Sequence, residues 1–157
     1  MEYEAEIHGV GVSWCDFGTA TPVVFLTSHG NYVPIYISPD QAHSIQSELQ
    51  DERSERPLSH DLLLNIVTEL GGAVDKVTID DISGGTFYAQ IHIQRYVDGH
   101  PQTYAFDARP SDGIALAVRS NCPIFISETV MDSAGQSIED FTLYETGGIK
   151  GFRVVSF

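Results

Sequence analysis

The chain has 157 residues, 42% of them apolar and 10% aromatic, enough for one hydrophobic core and too few for a second domain. With 22 acidic against 8 basic residues its formal net charge is −14, a surface that repels polyanions and lacks the clustered basic residues of ordinary nucleic-acid binders. No stretch approaches the ~20 apolar residues of a membrane span, and the acidic start Met1-Glu2-Tyr3-Glu4-Ala5-Glu6 is unlike a secretory leader, so the expected location is cytoplasmic, with no membrane partner.

The first third reads as strands. Residues 4–13 alternate in places, Pro22 to Thr27 is a compact apolar run, and Asn31 to Ile37 is another, with the turn-like Ser28-His29-Gly30-Asn31 between them predicting a hairpin. Ser38-Pro39-Asp40 then opens a helix, Ser38 as cap and Pro39 in the first turn, with Ala42, Ile45 and Leu49 as its apolar stripe. A polar linker, Gln50 to Glu55, leads to the clearest helix of the chain. Leu62, Leu63, Ile66, Val67 and Leu70 recur at helical spacing, Ser59 is placed to cap, and Gly71-Gly72 supplies the stop, so this helix is expected to turn its apolar side to a core.

Alternation over residues 74–82 and 86–93, joined by Ser83-Gly84-Gly85, predicts a second hairpin. Asp98-Gly99 reverses the chain again into Gln102 to Asp107, where Thr103, Ala105 and Asp107 share one face and Tyr104 and Phe106 the other. Pro110 suits the first helical position, and Gly113 to Val118 is apolar nearly all round, the mark of a helix buried on most sides. Asn121 ends it, Pro123 to Ile126 is a short strand, and Ser127 caps a last helix through Ala134. The fold class expected is α+β: an antiparallel or mixed sheet of about six to eight strands, including a meander, with three to four helices packed on it. Residues 1–135 form the domain and 136–157 an extension without clean periodicity.

Cys15 and Cys122 lie far apart and outside any CxxC or Cys/His spacing, so neither a disulfide framework nor a zinc site is indicated. No GxGxxG, P-loop, HExxH or GxSxG pattern occurs, which removes the usual support for dehydrogenase, NTPase and triad-hydrolase readings. The only lysines are Lys76 and Lys150. This acid-rich, lysine-poor composition resembles that of salt-adapted proteins, in which molar salt screens surface charge within about 3 Å.

Two helix starts echo each other: Arg56-Pro57-Leu58-Ser59-His60-Asp61 and Arg109-Pro110-Ser111-Asp112. Capping and the helix dipole account for Ser59, Ser111 and Asp112 taken singly. The arginines and Asp107 ask for more, since a cap needs no guanidinium and a strand end needs no carboxylate. One reading is an Arg-Asp pair that holds strand to helix. The other is a phosphate gripped at arginine-bearing helix starts, beside carboxylates that bind a divalent cation, with His60 as ligand or general base. The remaining histidines, His8, His29, His43, His92 and His100, and the acids Glu48 and Glu128, read as structural or solvent-facing.

The blocks "PIYISPDQAHSI", "RPLSHDLLLNIVTELGG", "VTIDDISGGTFYAQIHI" and "DARPSDGIALAVRSNCPIFIS", in this order and spacing, resemble the bifunctional nuclease domain family over about residues 33–135. Departures are mild: Ser59 stands where threonine is frequent, and Gly113 where alanine is frequent. The resemblance implies a compact, dimeric α+β domain with DNase and RNase activity, and supplies no list of catalytic residues. The matching motif positions are Arg56, His60, Asp61, Asp107, Arg109 and Asp112.

Together these readings predict a metal-assisted nuclease acting on DNA or RNA. Asp61, Asp107 and Asp112 would hold Mg²⁺ or Mn²⁺, His60 would serve as base or further ligand, and Arg56 and Arg109 would bind the phosphate. The alternative is a non-enzymatic binding or regulatory module in which the Arg-Pro-Ser-Asp starts are structural ion pairs. Everything functional requires the two helix starts to meet in space.

Overall fold

The computed structural model describes residues 1–14, 20–137 and 152–153. Cys15, and residues 138–151 and 154–157 of the expected extension, lie outside the described residues.

Strands β1 (Glu2–Trp14), β2 (Ala20–Ser28) and β3 (Asn31–Tyr36) form one antiparallel meander. Helices α1 (Pro39–Leu49) and α2 (Ser59–Glu69) follow. A second meander is built from β4 (Gly72–Ser83), β5 (Thr86–Val97) and β6 (His100–Ala108). Then come α3 (Pro110–Ser120), β7 (Ile124–Ser127), α4 (Glu128–Ala134) and two two-residue strands, β8 (Gln136–Ser137) and β9 (Phe152–Arg153). All the described strands join one mixed sheet in the order β6-β5-β4-β7-β1-β2-β3-β8, with β9 beside β1. The link between the meanders is β7, antiparallel to β1 and parallel to β4. Among the described residues no helix is long and apolar enough to cross a membrane.

Local chemistry fixes the hairpins. At His29-Gly30, Gly84-Gly85 and Asp98-Gly99 both residues have positive φ, 50° to 79°, as the two-residue turn that matches strand twist requires. Ser38 caps α1 through the Gln41 amide, and the Gln41 side chain returns the bond to the Ser38 amide. Ser127 accepts from the Val130 amide at the start of α4.

The core follows the alternation. Val24, Leu26, Val33 and Ile35 from the first meander, Val77, Ile79, Ala89 and Ile91 from the second, and Ile124 and Ile126 of β7 share one buried cluster with Ala42 and Ile45 of α1 and Ile114 to Ala117 of α3. Helix α3 is buried on most sides, as its sequence implies. Val23 and Phe25, of opposite parity, form a small second cluster with Tyr32.

Three local expectations need correction. Ser59 does not cap α2; it is already helical, and the Asp61 carboxylate reaches back to the Leu58 amide instead. Neither Ser111 nor Asp112 caps α3, because the Asp112 carboxylate is committed to other partners. The apolar stripe of α2 does not enter the core either. Leu62, Leu63, Ile66 and Leu70 are exposed, and Leu64 is the side chain that packs inward. The reason is that α3 already occupies the space over β4 and β5, leaving α2 beside it with its apolar side outward.

At Gly113 α3 presses close against the sheet. A Cβ there would stand 2.6 Å from Val77 Cγ1, and Val77 is β-branched, stiff and fully buried. Gly113→Ala would gain roughly 1 kcal/mol of helix propensity, yet it is expected to lower the thermal midpoint because that contact outweighs the gain. Calorimetry of the two proteins checks the sign.

Candidate functional site

The starts of α2 and α3 meet. His60 Nε2 lies 2.8 Å from Asp112 Oδ1. Arg109 forks onto the same carboxylate, Nε to Oδ2 at 2.9 Å and Nη2 to Oδ1 at 3.2 Å. The other imidazole nitrogen, Nδ1, is 2.6 Å from Ser44 Oγ on α1. An ionised carboxylate only accepts, so His60 Nε2 donates to Asp112. In the neutral ring Nδ1 then accepts from the Ser44 hydroxyl; in the imidazolium the hydroxyl rotates and accepts. The Arg109-Asp112-His60-Ser44 chain therefore tolerates either charge on the ring.

Beneath it sits a second pair. Arg119, in the last turn of α3, has a side chain only 4% exposed and donates from Nε to Asp61 Oδ1 at 2.7 Å. Its two terminal nitrogens donate to the carbonyls of Ala115, at 3.0 Å, and Ser44, at 3.1 Å. One guanidinium thus ties α1, α2 and α3 together and fixes the backbone that carries Ser44 under His60.

Both aspartates are held in the ionised form. Burial pushes Asp112 up, but hydrogen bonds and charge from Arg109 and His60 outweigh it and leave its carboxyl below the ordinary value. At Asp61 burial likewise raises, while Arg119, the Leu58 amide and the charge of His60 together lower it further.

Two predicted site residues take no part in these pairs. Asp107 pairs across the sheet with Gln90, whereas its neighbour Phe106 pairs with the core residue Ile91. Alternation turns the Asp107 side chain away from the face that carries Phe106, although the residue itself borders the cleft beside Asp112. Arg56 is exposed and makes no ion pair among the described residues. Asp61, Asp107 and Asp112 accordingly do not form a cage: Asp112 and Asp61 are each occupied on both oxygens. No group of three His, Cys, Asp or Glu among the described residues could hold a metal ion. As they stand, these carboxylates do not fit a resident Mg²⁺ or Mn²⁺.

Beside the site runs an apolar cleft of about 360 Å³ between α2 and the outer strands. It is lined by Leu63 and Val67 of α2, Ile91 and Ile93 of β5, Phe106, Asp107 and Ala108 at the end of β6, and Asp112 and Leu116 of α3.

The profile of the bifunctional nuclease domain matches residues 23–139. The chain belongs to the bifunctional nuclease domain family. The match starts ten residues before the resemblance drawn from the motifs and so takes in β2. An uncharacterized protein of Mycobacterium tuberculosis is 36% identical over 121 residues, 76% of this chain and 70% of that protein. Bifunctional nuclease 1 of Oryza sativa subsp. japonica is 22% identical over 106 residues, 68% of this chain but 32% of its own length. Bifunctional nuclease 2 of Arabidopsis thaliana is 23% identical over 111 residues, 71% of this chain and 33% of the relative.

Sequence reasoning found four of the residues this family member brings together here, His60, Asp61, Arg109 and Asp112, and missed Ser44 and Arg119. The signal for Arg119 was present: a lone arginine closing a helix that is apolar all round must find a carboxylate.

Two predictions follow from these pairs. Arg119→Ala strands Asp61 and two carbonyls and is expected to cost roughly 3 kcal/mol, the lower end for a broken buried pair because Asp61 stays partly solvated; urea denaturation measures it. Asp112 has a folded pKa below its unfolded value, so its contribution is present above about pH 4 and fades as pH falls through the lower folded value. The stability gap between the native chain and Asp112→Asn should therefore be widest near pH 7 and shrink below pH 4.

Proposed function

We propose that this chain is a nuclease that hydrolyses phosphodiester bonds of DNA or RNA at the meeting point of the α2 and α3 starts. The observation that carries the reading is the Arg109-Asp112-His60 chain, whose Asp112 borders the cleft, within a domain whose family includes proteins named bifunctional nucleases. Arg109 is the part open to water, its side chain 69% exposed. Drawn onto a substrate phosphate, it leaves Asp112 with His60 alone, a carboxylate-imidazole pair suited to proton transfer. Water then adds its hydroxyl to phosphorus, the pair takes the proton, and the departing ester oxygen receives it.

Metal assistance is a separate part of the proposal. Magnesium is commonly held by one or two carboxylates plus substrate phosphates, so Mg²⁺ or Mn²⁺ would enter with the nucleic acid, and no step above depends on it. Homodimerisation is the other partner proposal, and the outward row Leu62, Ile66 and Leu70 on α2 is the surface that supports it.

A second reading has its own support. Both carboxylates are already paired with arginine, and Arg119 is buried, as expected of a structural ion-pair network in a binding or regulatory module. Cleavage of labelled single- and double-stranded DNA and RNA, with EDTA, Mg²⁺ or Mn²⁺ and at low and molar salt, separates the two. The nuclease reading expects cleavage that falls about 100-fold or more in His60→Gln with folding retained. Absence of cleavage under every condition, with stability alone changed by His60→Gln, selects the module.

A further inference from the structure

The cleft continues into a row of side chains along the outer edge of the sheet. Strand β6 pairs with β5 and ends the strand order, so its other edge is open among the described residues. On the helix side of this edge, register and alternation place Gln102, Tyr104, Phe106 and Ala108 of β6 beside Arg95, Ile93, Ile91 and Ala89 of β5. The Tyr104 and Phe106 rings lie nearly parallel, 18° apart with centroids 6.3 Å apart, and Phe106 is 51% exposed. Tyr104 is steadied by its hydroxyl donating to Gln102 Oε1 at 2.6 Å.

Charge marks the two ends of this row. Arg95 stands at one end, exposed and without an ion pair among the described residues, and Arg109 follows Ala108 at the other. In a chain with only 8 basic residues and a net charge of −14, exposed aromatic rings with one arginine in line with them on β5 and a second just past the end of β6 are what a polyanion with apolar, flat side groups would require.

We propose that the Tyr104-Phe106 row and the adjoining cleft bind unpaired bases of a single-stranded nucleic acid, with its phosphates running from Arg95 toward Arg109. The proposal rests on the nuclease reading and deepens it, because it names single strands as the substrate class and β6 as the track that feeds the His60-Asp112 pair. Stacking on aromatic rings is indifferent to base identity, so recognition along this track is of unpairedness rather than sequence. A duplex, with its bases occupied, offers only phosphates to a surface that is otherwise acidic.

The test is binding in EDTA at low salt, read by fluorescence anisotropy of labelled oligo(dT) and oligo(U) 12-mers and of a 12-base-pair duplex. The expected result is that both single strands bind more tightly than the duplex, and that Phe106→Ala weakens them roughly 5- to 100-fold at an unchanged thermal midpoint. Phe106→Leu, which keeps the apolar bulk and removes the ring, should weaken them as well. The proposal is overturned if the duplex binds as tightly as the single strands, if no oligonucleotide binds, or if both Phe106 variants bind like the native chain. It is equally overturned if those variants change the sedimentation mass and leave oligonucleotide affinity alone, for then the cleft is where a second copy docks. Ring-dependent binding without cleavage in Mg²⁺ or Mn²⁺ supports the track and sinks only the nuclease reading; cleavage that ignores the ring does the reverse.

Discussion

A guanidinium buried in a protein interior must be answered by acceptors on every side, and Arg119 meets that demand with one group from each of three helices. The Asp61 carboxylate, the Ala115 carbonyl and the Ser44 carbonyl have to arrive together, which leaves α1, α2 and α3 little freedom in how they cross. Ser44 is thereby held beneath His60, and His60 against Asp112. The candidate site is thus a consequence of how a buried charge is satisfied. Its residues come from positions 44 to 119, so no single segment carries it.

The same arrangement explains why the site has two layers of different character. The lower pair joins the buried guanidinium of Arg119 to an Asp61 carboxylate that keeps some contact with water, and works as a fastener. In the upper pair Asp112 borders the cleft, and Arg109, exposed to water, is free to exchange its carboxylate for a phosphate.

Much of this was legible in the sequence. The three glycine-bearing turns, the alternation of β5 and the apolar face of α3 mark the sheet and the helix on it, and the repeated Arg-Pro starts mark both halves of the site. Three things were not legible. The parallel pairing of β7 with β4 depends on contacts between residues 77–79 and 124–126 that no local pattern encodes. The face on which Asp107 falls was visible as alternation, but which face holds the helices is decided only once Ile91 and Phe106 pair. The stripe of α2 satisfies every rule for a core-facing helix and yet points outward, because α3 reaches the same sheet surface first. Periodicity reports that a face is apolar; it does not report what covers it.

The position of β1 has a consequence for synthesis. It pairs with β2 on one edge and with β7 on the other, partners that lie far apart in the chain, β2 ending at Ser28 and β7 beginning at Ile124. The amino-terminal meander can close locally as soon as it emerges from the ribosome, but its inner edge keeps an unmatched row of amides and carbonyls until Ile124–Ser127 has been translated. That edge carries Glu2, Glu4 and Glu6, whose like charges disfavour pairing with a second copy of the same strand.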